Sequence, residues 1–133
     1  MTIIPSLVLK QLYTRNSLEN ISEGISFSLK NRLSDTTLTK INSLKINGNL
    51  VPPENIKLGF DEGGVLQMSE IGEEKPVTFA LKSVVYFYVK HEHLPEGKHE
   101  IEINFEAKTF GVLNLKVEDG ISTDHEHIVR IKS

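Results

Sequence analysis

The segment that spans residues 100–108 alternates strictly between apolar and polar side chains. Its apolar positions are Ile101, Ile103, Phe105 and Ala107, and its polar positions are Glu102, Asn104, Glu106 and Lys108. Because successive side chains of a β-strand point to opposite faces, this alternation predicts a strand with one buried face. An amphipathic helix would need an apolar residue at every third or fourth position, and the chain sustains no such stripe.

The same alternation marks further strands, which turn-forming residues separate. We predict strands at residues 24–31, 113–118 and 128–132. Asn47-Gly48 follows the short strand that ends at Ile46 and predicts a two-residue hairpin, since both central positions of that turn need positive φ. Pro52-Pro53 ends the strand that follows, because proline cannot donate to a ladder. Single helical turns at residues 34–41 and 65–71 are the only helices that we predict.

Several short strands in a chain of 133 residues predict one domain, which spans residues 1–133. We expect an all-β fold, an antiparallel β-sandwich of jelly-roll type with few or no helices. A partly open barrel is the alternative, because the pattern alone does not give the order of the strands.

The charge and the composition exclude several functional classes. A net charge of -3 disfavours binding to nucleic acids and to anionic membrane surfaces, both of which attract basic proteins. The absence of cysteine excludes a disulfide framework, a thiolate nucleophile and a cysteine-based zinc site. No apolar run reaches the length of a membrane span, and the apolar N-terminal residues lack the basic region of a signal peptide. We therefore expect a cytoplasmic location.

The strand predicted at residues 83–90 departs from the alternation, because both of its faces are apolar or aromatic. One face carries Val85, Phe87 and Val89, and the other carries Val84, Tyr86 and Tyr88. One interpretation is a central strand that is covered on both sides. The other is that Val84, Tyr86 and Tyr88 contact a protein partner or a second copy of the chain, since tyrosine combines a large apolar body with a polar tip.

Two His-x-His pairs are candidate metal ligands. They are His91 with His93, and His125 with His127. Residues i and i+2 share a face of a strand, so four imidazoles could bind zinc or a similar ion if the two strands were neighbours. The alternative is that the pairs lie on solvated strand ends. The catalytic motif His-Glu-x-x-His is absent, because Pro95 occupies the position of its second histidine.

No segment carries a complete catalytic motif. His99 is in phase with the apolar residues that follow it, so we expect it to be partly buried, with a general base as the alternative. The acidic residues Glu118 and Asp119, with Asp124 and Glu126, are expected in a solvated loop, with calcium binding as the alternative. A nucleophile elbow, a phosphate-binding glycine loop and a dinucleotide fingerprint are all missing. We therefore expect no catalytic residue and no cofactor in this chain, with a divalent metal at the histidine pairs as the alternative.

Four segments together resemble the small β-subunit of C-glycoside deglycosidases over roughly residues 12–119. They are residues 16–20, residues 24–33 leading into Leu38 and Ile41, residues 44–48 together with residues 53–56, and residues 94–101. The resemblance implies a β-sandwich that binds a larger subunit with a barrel fold. In that family the larger subunit carries the metal and most of the catalytic site, which cleaves the carbon–carbon bond between a sugar and an aromatic aglycone.

The resemblance thus predicts a non-catalytic accessory subunit that supports a sugar-processing partner. The chain departs from the family at residues 32–38, where a stretch of the Tyr-Tyr-Arg-Gly type is replaced by Arg-Leu-Ser-Asp-Thr-Thr-Leu. Two other functions remain open at this stage. One is a binding module for a carbohydrate or another small ligand, although 7% aromatic residues without tryptophan is little for sugar stacking. The other is a metal-binding protein that uses the His-x-His pairs.

Overall fold

The computed structural model describes residues 4–61 and 63–122, which form two antiparallel sheets packed face to face. Sheet A contains β1 (Glu19–Ile21), β2 (Gly24–Lys30), β5 (Ile56–Phe60), β6 (Val65–Gln67) and β8 (Val84–Lys90) in the order β1-β2-β8-β5-β6. Sheet B contains β3 (Thr36–Ile46), β4 (Asn49–Leu50), β9 (Gly97–Ala107) and β10 (Gly111–Ile121) in the order β10-β9-β3-β4, and β7 (Val77–Phe79) also pairs with β3. The predicted all-β sandwich is confirmed.

Within residues 4–61 and 63–122, helical structure is confined to short segments. Helix α1 (Ser6–Leu9) continues into a 3-10 turn at Lys10–Leu12, and further 3-10 turns lie at Pro53–Asn55 and Met68–Glu70. In the part of the chain that the structure describes, no helix is long and apolar enough to cross a membrane.

The core lies between the two sheets and is built from the apolar phase of each strand. On the sheet A side, the rings of Phe27 and Phe87 stack at a centroid distance of 4.9 Å and an interplanar angle of 10°. On the sheet B side, the buried residues include Ile101, Ile103 and Phe105. Interdigitation of the two apolar faces removes these side chains from water, which provides the main driving force for folding.

The hairpin predicted at Asn47-Gly48 is confirmed. Both residues have positive φ, 52° for Asn47 and 82° for Gly48, and the flanking pair Ile46 and Asn49 are in register. This is the geometry that a two-residue turn needs to match the twist of its strands.

The helical turn predicted at residues 34–41 is wrong, because Thr36–Ile46 is a single strand. The register between β3 and β9 shifts between Leu38 and Lys40 and again between Ile41 and Ser43. Each shift inserts a residue, so that Leu38, Ile41 and Leu44 are all buried despite a spacing of three. A bulged strand thereby imitates helical spacing. The turn predicted at residues 65–71 is correct only in its second half, since Val65–Gln67 is β6.

Candidate functional site

The outer surface of β8 carries two neighbouring tyrosines. Tyr86 and Tyr88 are each 39% exposed, and their rings stack at a centroid distance of 6.4 Å and an angle of 20°. Val84, half-buried, continues the row. We call Val84, Tyr86 and Tyr88 the tyrosine face. The opposite side of the strand, with Val85, Phe87 and Val89, is buried in the core.

Small residues border the tyrosine face on both neighbouring strands. On β2, Ser26 is in register with Tyr88 and Ser28 with Tyr86, and both serines are buried. On β5, Gly59 is in register with Tyr86. A Cβ atom added to Gly59 would lie 2.8 Å from ring atom Cε2 of Tyr88. The ring of Tyr88 therefore lies over the backbone of Gly59, in space that a side chain at that position would occupy.

Charged residues of both signs surround the tyrosine face. Lys30 is in register with Val84, and Lys57 is in register with Tyr88. A cleft of about 250 Å³ next to Tyr88 is lined by Lys57 and Lys90 together with Glu23 and Glu54. An apolar centre with a mixed polar rim is the usual composition of a protein–protein contact surface.

The position of β8 agrees with the interpretation of a central strand, but not with cover on both of its faces. The strand is central in sheet A, between β2 and β5. Within residues 4–61 and 63–122, however, no element covers Tyr86 and Tyr88 to the degree that buries Val85 and Phe87. Complete cover on both sides is therefore the wrong interpretation for the described part of the chain.

The histidine pair that follows β8 makes hydrogen bonds to the backbone. Nδ1 of His91 lies 2.7 Å from the carbonyl oxygen of Glu92, and Nε2 of His93 lies 2.7 Å from that of Ile21. The described residues contain no group of three or more histidine, aspartate or glutamate side chains that could hold a metal ion. His125 and His127, and likewise Asp124 and Glu126, lie outside the described residues.

His99 is buried, as its phase predicts, and both of its ring nitrogens have partners. Nε2 lies 2.7 Å from the carbonyl oxygen of Pro95, and Nδ1 lies 3.0 Å from Nδ2 of Asn47. A carbonyl oxygen accepts only, so Nε2 carries the proton and Nδ1 accepts from the amide. The ring thus joins the hairpin turn at Asn47 to the segment before β9.

Asp119 lies in β10. The prediction of a solvated loop is therefore wrong at this position. Its carboxylate is buried and accepts three hydrogen bonds. The donors are the hydroxyl of Tyr13 at 2.6 Å, the N–H of Leu18 at 3.1 Å and the N–H of Gly120 at 2.8 Å. Burial, followed by the bond to Asp119, raises the pKa of Tyr13 far above its ordinary value, so Tyr13 stays neutral.

The phase of β10 could have identified Asp119 as buried, since Asp119 continues the row of Leu113 and Leu115. No comparable signal points to Tyr13, whose partner is 106 positions away.

Asn31 is a further polar residue that sequence reasoning missed. It is almost fully buried directly after β2. Its amide nitrogen donates to the carbonyl oxygens of Ser34 and Phe79, each at 2.7 Å, and its amide oxygen accepts from the N–H of Leu33 at 3.0 Å. The side chain replaces ladder hydrogen bonds where the chain leaves sheet A for sheet B.

These observations define a β-sandwich domain with buried polar side chains that tie its segments together and with a tyrosine pair exposed on one sheet. A sequence model of the family described as hydroxymethylglutaryl-CoA reductase, N-terminal domain, matches residues 8–122. The match covers most of the chain, and the chain belongs to this family. No curated protein sequence matches it.

The family match corrects the prediction of a C-glycoside deglycosidase small subunit, which is wrong. It covers nearly the same residues as that resemblance and assigns them to a reductase family. The four resembling segments consist of short pieces of strand and of turns, such as Asn47-Gly48 and Pro95-Glu96-Gly97, that many sandwich folds need for the same geometric reasons. The function drawn from the resemblance, support of a sugar-processing barrel enzyme, is withdrawn with it. The alternatives of a carbohydrate-binding module and of a metal-binding protein are replaced by the same assignment.

Proposed function

We propose that this domain assists a hydroxymethylglutaryl-CoA reductase by binding the catalytic part of that enzyme through the tyrosine face. The catalytic part can belong to the same polypeptide or to another chain. The observation that carries the proposal is the stacked, exposed pair Tyr86 and Tyr88 at the centre of sheet A in a chain of this family.

The roles of the buried titratable groups support a binding function over a chemical one. The Tyr13 hydroxyl is bonded to the Asp119 carboxylate, and both ring nitrogens of His99 are engaged with Asn47 and Pro95. A general acid or base must reach a proton on its substrate, whereas these groups face other parts of their own chain. We therefore assign the reduction to the catalytic part.

The tyrosine face has the properties of an interface anchor. Tyrosine provides a large contact area with few rotatable bonds, and tyrosines are frequent among the residues that dominate binding energy. Here the rings of Tyr86 and Tyr88 stack on each other and the ring of Tyr88 lies over Gly59, and both arrangements reduce the side-chain entropy that remains to be lost on binding. Lys57, Lys90 and Glu54 can pair with charges at the edge of the partner surface.

A cytoplasmic location is part of the proposal. A chain without cysteine gains no disulfide from an oxidising compartment. Fractionation of the source cells tests this point, and recovery in a secreted fraction would contradict it.

The test is a binding titration between this chain and the separately produced catalytic part of the reductase from the same organism. Isothermal calorimetry should show a saturable complex. Tyr86→Ala should weaken it at least about tenfold, because truncation of a central aromatic anchor typically costs about 2 kcal/mol. Val112→Ala is the matched control, since Val112 is an exposed apolar residue of β10 on the other sheet.

Two outcomes would contradict the proposal. The first is no complex with the catalytic part at concentrations where the chain is folded and monomeric. The second is a homodimer that Tyr86→Ala dissociates, since the tyrosine face would then bind a second copy of the chain.

A further inference from the structure

Strand β10 forms one edge of sheet B. It pairs with β9 in continuous register from Gly111 to Ile121, and in the described part of the chain no strand pairs with its other side. An edge strand of this length presents a row of backbone N–H and C=O groups that can template a further strand.

The hydrogen bonds of Glu100 show which residues of β10 present these groups. The carbonyl of Glu100 accepts from the N–H of Asn47 at 2.8 Å, and its own N–H donates to Oδ1 of Asn47 at 2.9 Å. Both groups therefore point away from β10. Register partners in an antiparallel pair exchange both bonds or neither, so Glu118, the partner of Glu100, directs its N–H and C=O to the free edge. Alternation gives Lys116 and Asn114 the same orientation.

A groove of about 1140 Å³ runs along this edge. Residues 114–118 of β10 form one wall, and residues 6–15 of the N-terminal segment contribute most of the other. Two long-range bonds hold the second wall: Nη1 of Arg32 donates to the carbonyl of Gln11 at 2.7 Å, and Tyr13 is bonded to Asp119. The free backbone groups of β10 thus border a groove whose other wall, the N-terminal segment, is held in place by these two hydrogen bonds.

The groove is locally basic although the chain is acidic. Its lining includes the cationic side chains of Lys10, Arg15, Arg32 and Lys116 and the carboxylates of Glu100 and Glu118. Lys116 and Glu100 form an ion pair at 3.6 Å and neutralise each other. Lys10, Arg15 and Arg32 then outnumber Glu118, in contrast to the net charge of -3.

We propose that this groove binds an extended acidic segment of a partner protein, which adds to the free edge of β10 as a further strand. The backbone of the segment would hydrogen-bond to Asn114, Lys116 and Glu118, and its carboxylates would pair with Lys10, Arg15 and Arg32. Strand addition obtains affinity from backbone bonds and selectivity from side-chain contacts, and here the selectivity is for negative charge. The proposal goes beyond the proposed function and uses a different sheet, so either can fail alone.

The length of the wall sets the length of the probe. Five residues of strand span about 17 Å, which a peptide of about seven residues covers with one residue to spare at each end. The probe is therefore a fluorescein-labelled, end-capped heptapeptide in which glutamate alternates with valine. Its binding to the full chain is measured by fluorescence anisotropy.

The acidic peptide should bind saturably, and the same peptide with lysine in place of glutamate should not. Arg15→Ala should weaken binding about threefold, as expected for one exposed charge pair, and added salt should reduce the effect. N-methylation of the peptide at one set of alternate residues should abolish binding, whereas methylation at the other set should be tolerated, since only one set faces β10.

Lys116→Pro and Lys116→Ala form a matched pair within the protein. Both remove the charge, but proline also removes the N–H that faces the free edge without removing a ladder bond to β9. Proline should therefore weaken binding about tenfold more than alanine, which corresponds to one lost backbone hydrogen bond. Thermal unfolding of each variant verifies that it is folded.

Equal binding of the acidic and basic peptides, or of both N-methylated peptides, would overturn the proposal. So would protection of the amides of Asn114, Lys116 and Glu118 from hydrogen exchange in the free chain. That result would mean that a second copy or residues 123–133 occupy the edge, and sedimentation at several concentrations would distinguish the two.

Discussion

The hydroxyl of Tyr13 donates a 2.6 Å hydrogen bond to Oδ2 of Asp119, a residue 106 positions further along the chain. The bond joins the segment before β1 to the C-terminal end of β10, so it links residues that lie on different sheets, and Tyr13 is itself part of the buried core. Both side chains are buried, and the ring of Tyr13 also contacts that of Phe27 at a centroid distance of 6.1 Å. One hydrogen bond thus fixes the N-terminal wall of the groove against the strand that forms its other wall.

Removal of this hydroxyl should destabilise the fold. Tyr13→Phe leaves the Asp119 carboxylate with one buried partner fewer, so we expect the free energy of unfolding to fall by about 1–3 kcal/mol. Urea denaturation followed by circular dichroism measures it. Tyr86→Phe is the control, because Tyr86 is exposed and should change stability by less than about 0.5 kcal/mol. Equal effects of the two variants would show that the bond to Asp119 contributes nothing.

The same residue predicts a loss of stability in alkali. Burial and the bond to Asp119 raise the pKa of Tyr13 in the folded state above the ordinary value of 10.0. Above the pKa of the unfolded state and below that of the folded state, Tyr13 releases its proton in the unfolded chain but keeps it in the folded chain. The contribution of Tyr13 to the free energy of unfolding is therefore complete below about pH 10 and falls as the pH rises further. The slope should approach about 1.4 kcal/mol per pH unit.

Urea denaturation of the wild type and of Tyr13→Phe from pH 8 to pH 11 isolates this contribution, since Tyr13 is the one side chain by which the two proteins differ. We expect the difference in stability between the two to shrink above about pH 10. A difference that stays constant over the range would contradict the raised pKa.

Asn31 should be among the polar residues that contribute most to stability. Asn31→Ala leaves the carbonyls of Ser34 and Phe79 and the N–H of Leu33 without their side-chain partner, so we expect a loss of about 2–4 kcal/mol. Asn42→Ala is the matched control, because Asn42 is exposed and its side chain bonds only to the half-buried Asn104 among the described contacts. Thermal unfolding compares the two, and a control effect as large as that of Asn31→Ala would refute the assignment.

The contact between Tyr88 and Gly59 predicts an energetic coupling between these residues. In the wild type, Gly59→Ala must displace the ring of Tyr88, so it should be neutral or destabilising. In a Tyr88→Ala background the space is free, and the same change should stabilise by about 0.5–1 kcal/mol, as alanine does over glycine in a strand. A double-mutant cycle in urea measures the difference.

Tyr86→Ala provides the control background for that cycle. Tyr86 is the register partner of Gly59, yet the ring that covers the glycine belongs to Tyr88. Gly59→Ala should therefore behave in this background as it does in the wild type. Coupling to Tyr86 of the same size would mean that the two rings cover the glycine together.

The regular strands could be predicted from alternation because their side chains follow the pleat without interruption. Residues 100–108 and 24–31 correspond closely to β9 and β2, and the buried position of His99 follows from the same phase. The bulged strand β3 could not be predicted in this way, since its two register shifts break the alternation and place Leu38, Ile41 and Leu44 at helical spacing.

The candidate site was predictable in part. The apolar content of both faces of residues 83–90 identified Tyr86 and Tyr88, while their exposure depends on which elements pack over sheet A. The family assignment was not accessible from four short segments, because short strands and turns of this kind are shared by unrelated sandwich folds.

The sequence by itself determined the regular strands β2, β8, β9 and β10, the Asn47-Gly48 hairpin and the buried face of each of these strands, because these depend on the order of neighbouring side chains and on local backbone geometry. Only the tertiary structure decided the bulges of β3, the pairing of Tyr13 with Asp119, the bonds of Asn31 and the free edge of β10. The bulges, the Tyr13–Asp119 pair and the bond from Asn31 to Phe79 join residues far apart in sequence, and a buried polar group finds such a partner only when the two sheets pack. The free edge of β10 in the described part of the chain depends on the order of the strands in sheet B, which alternation alone does not give.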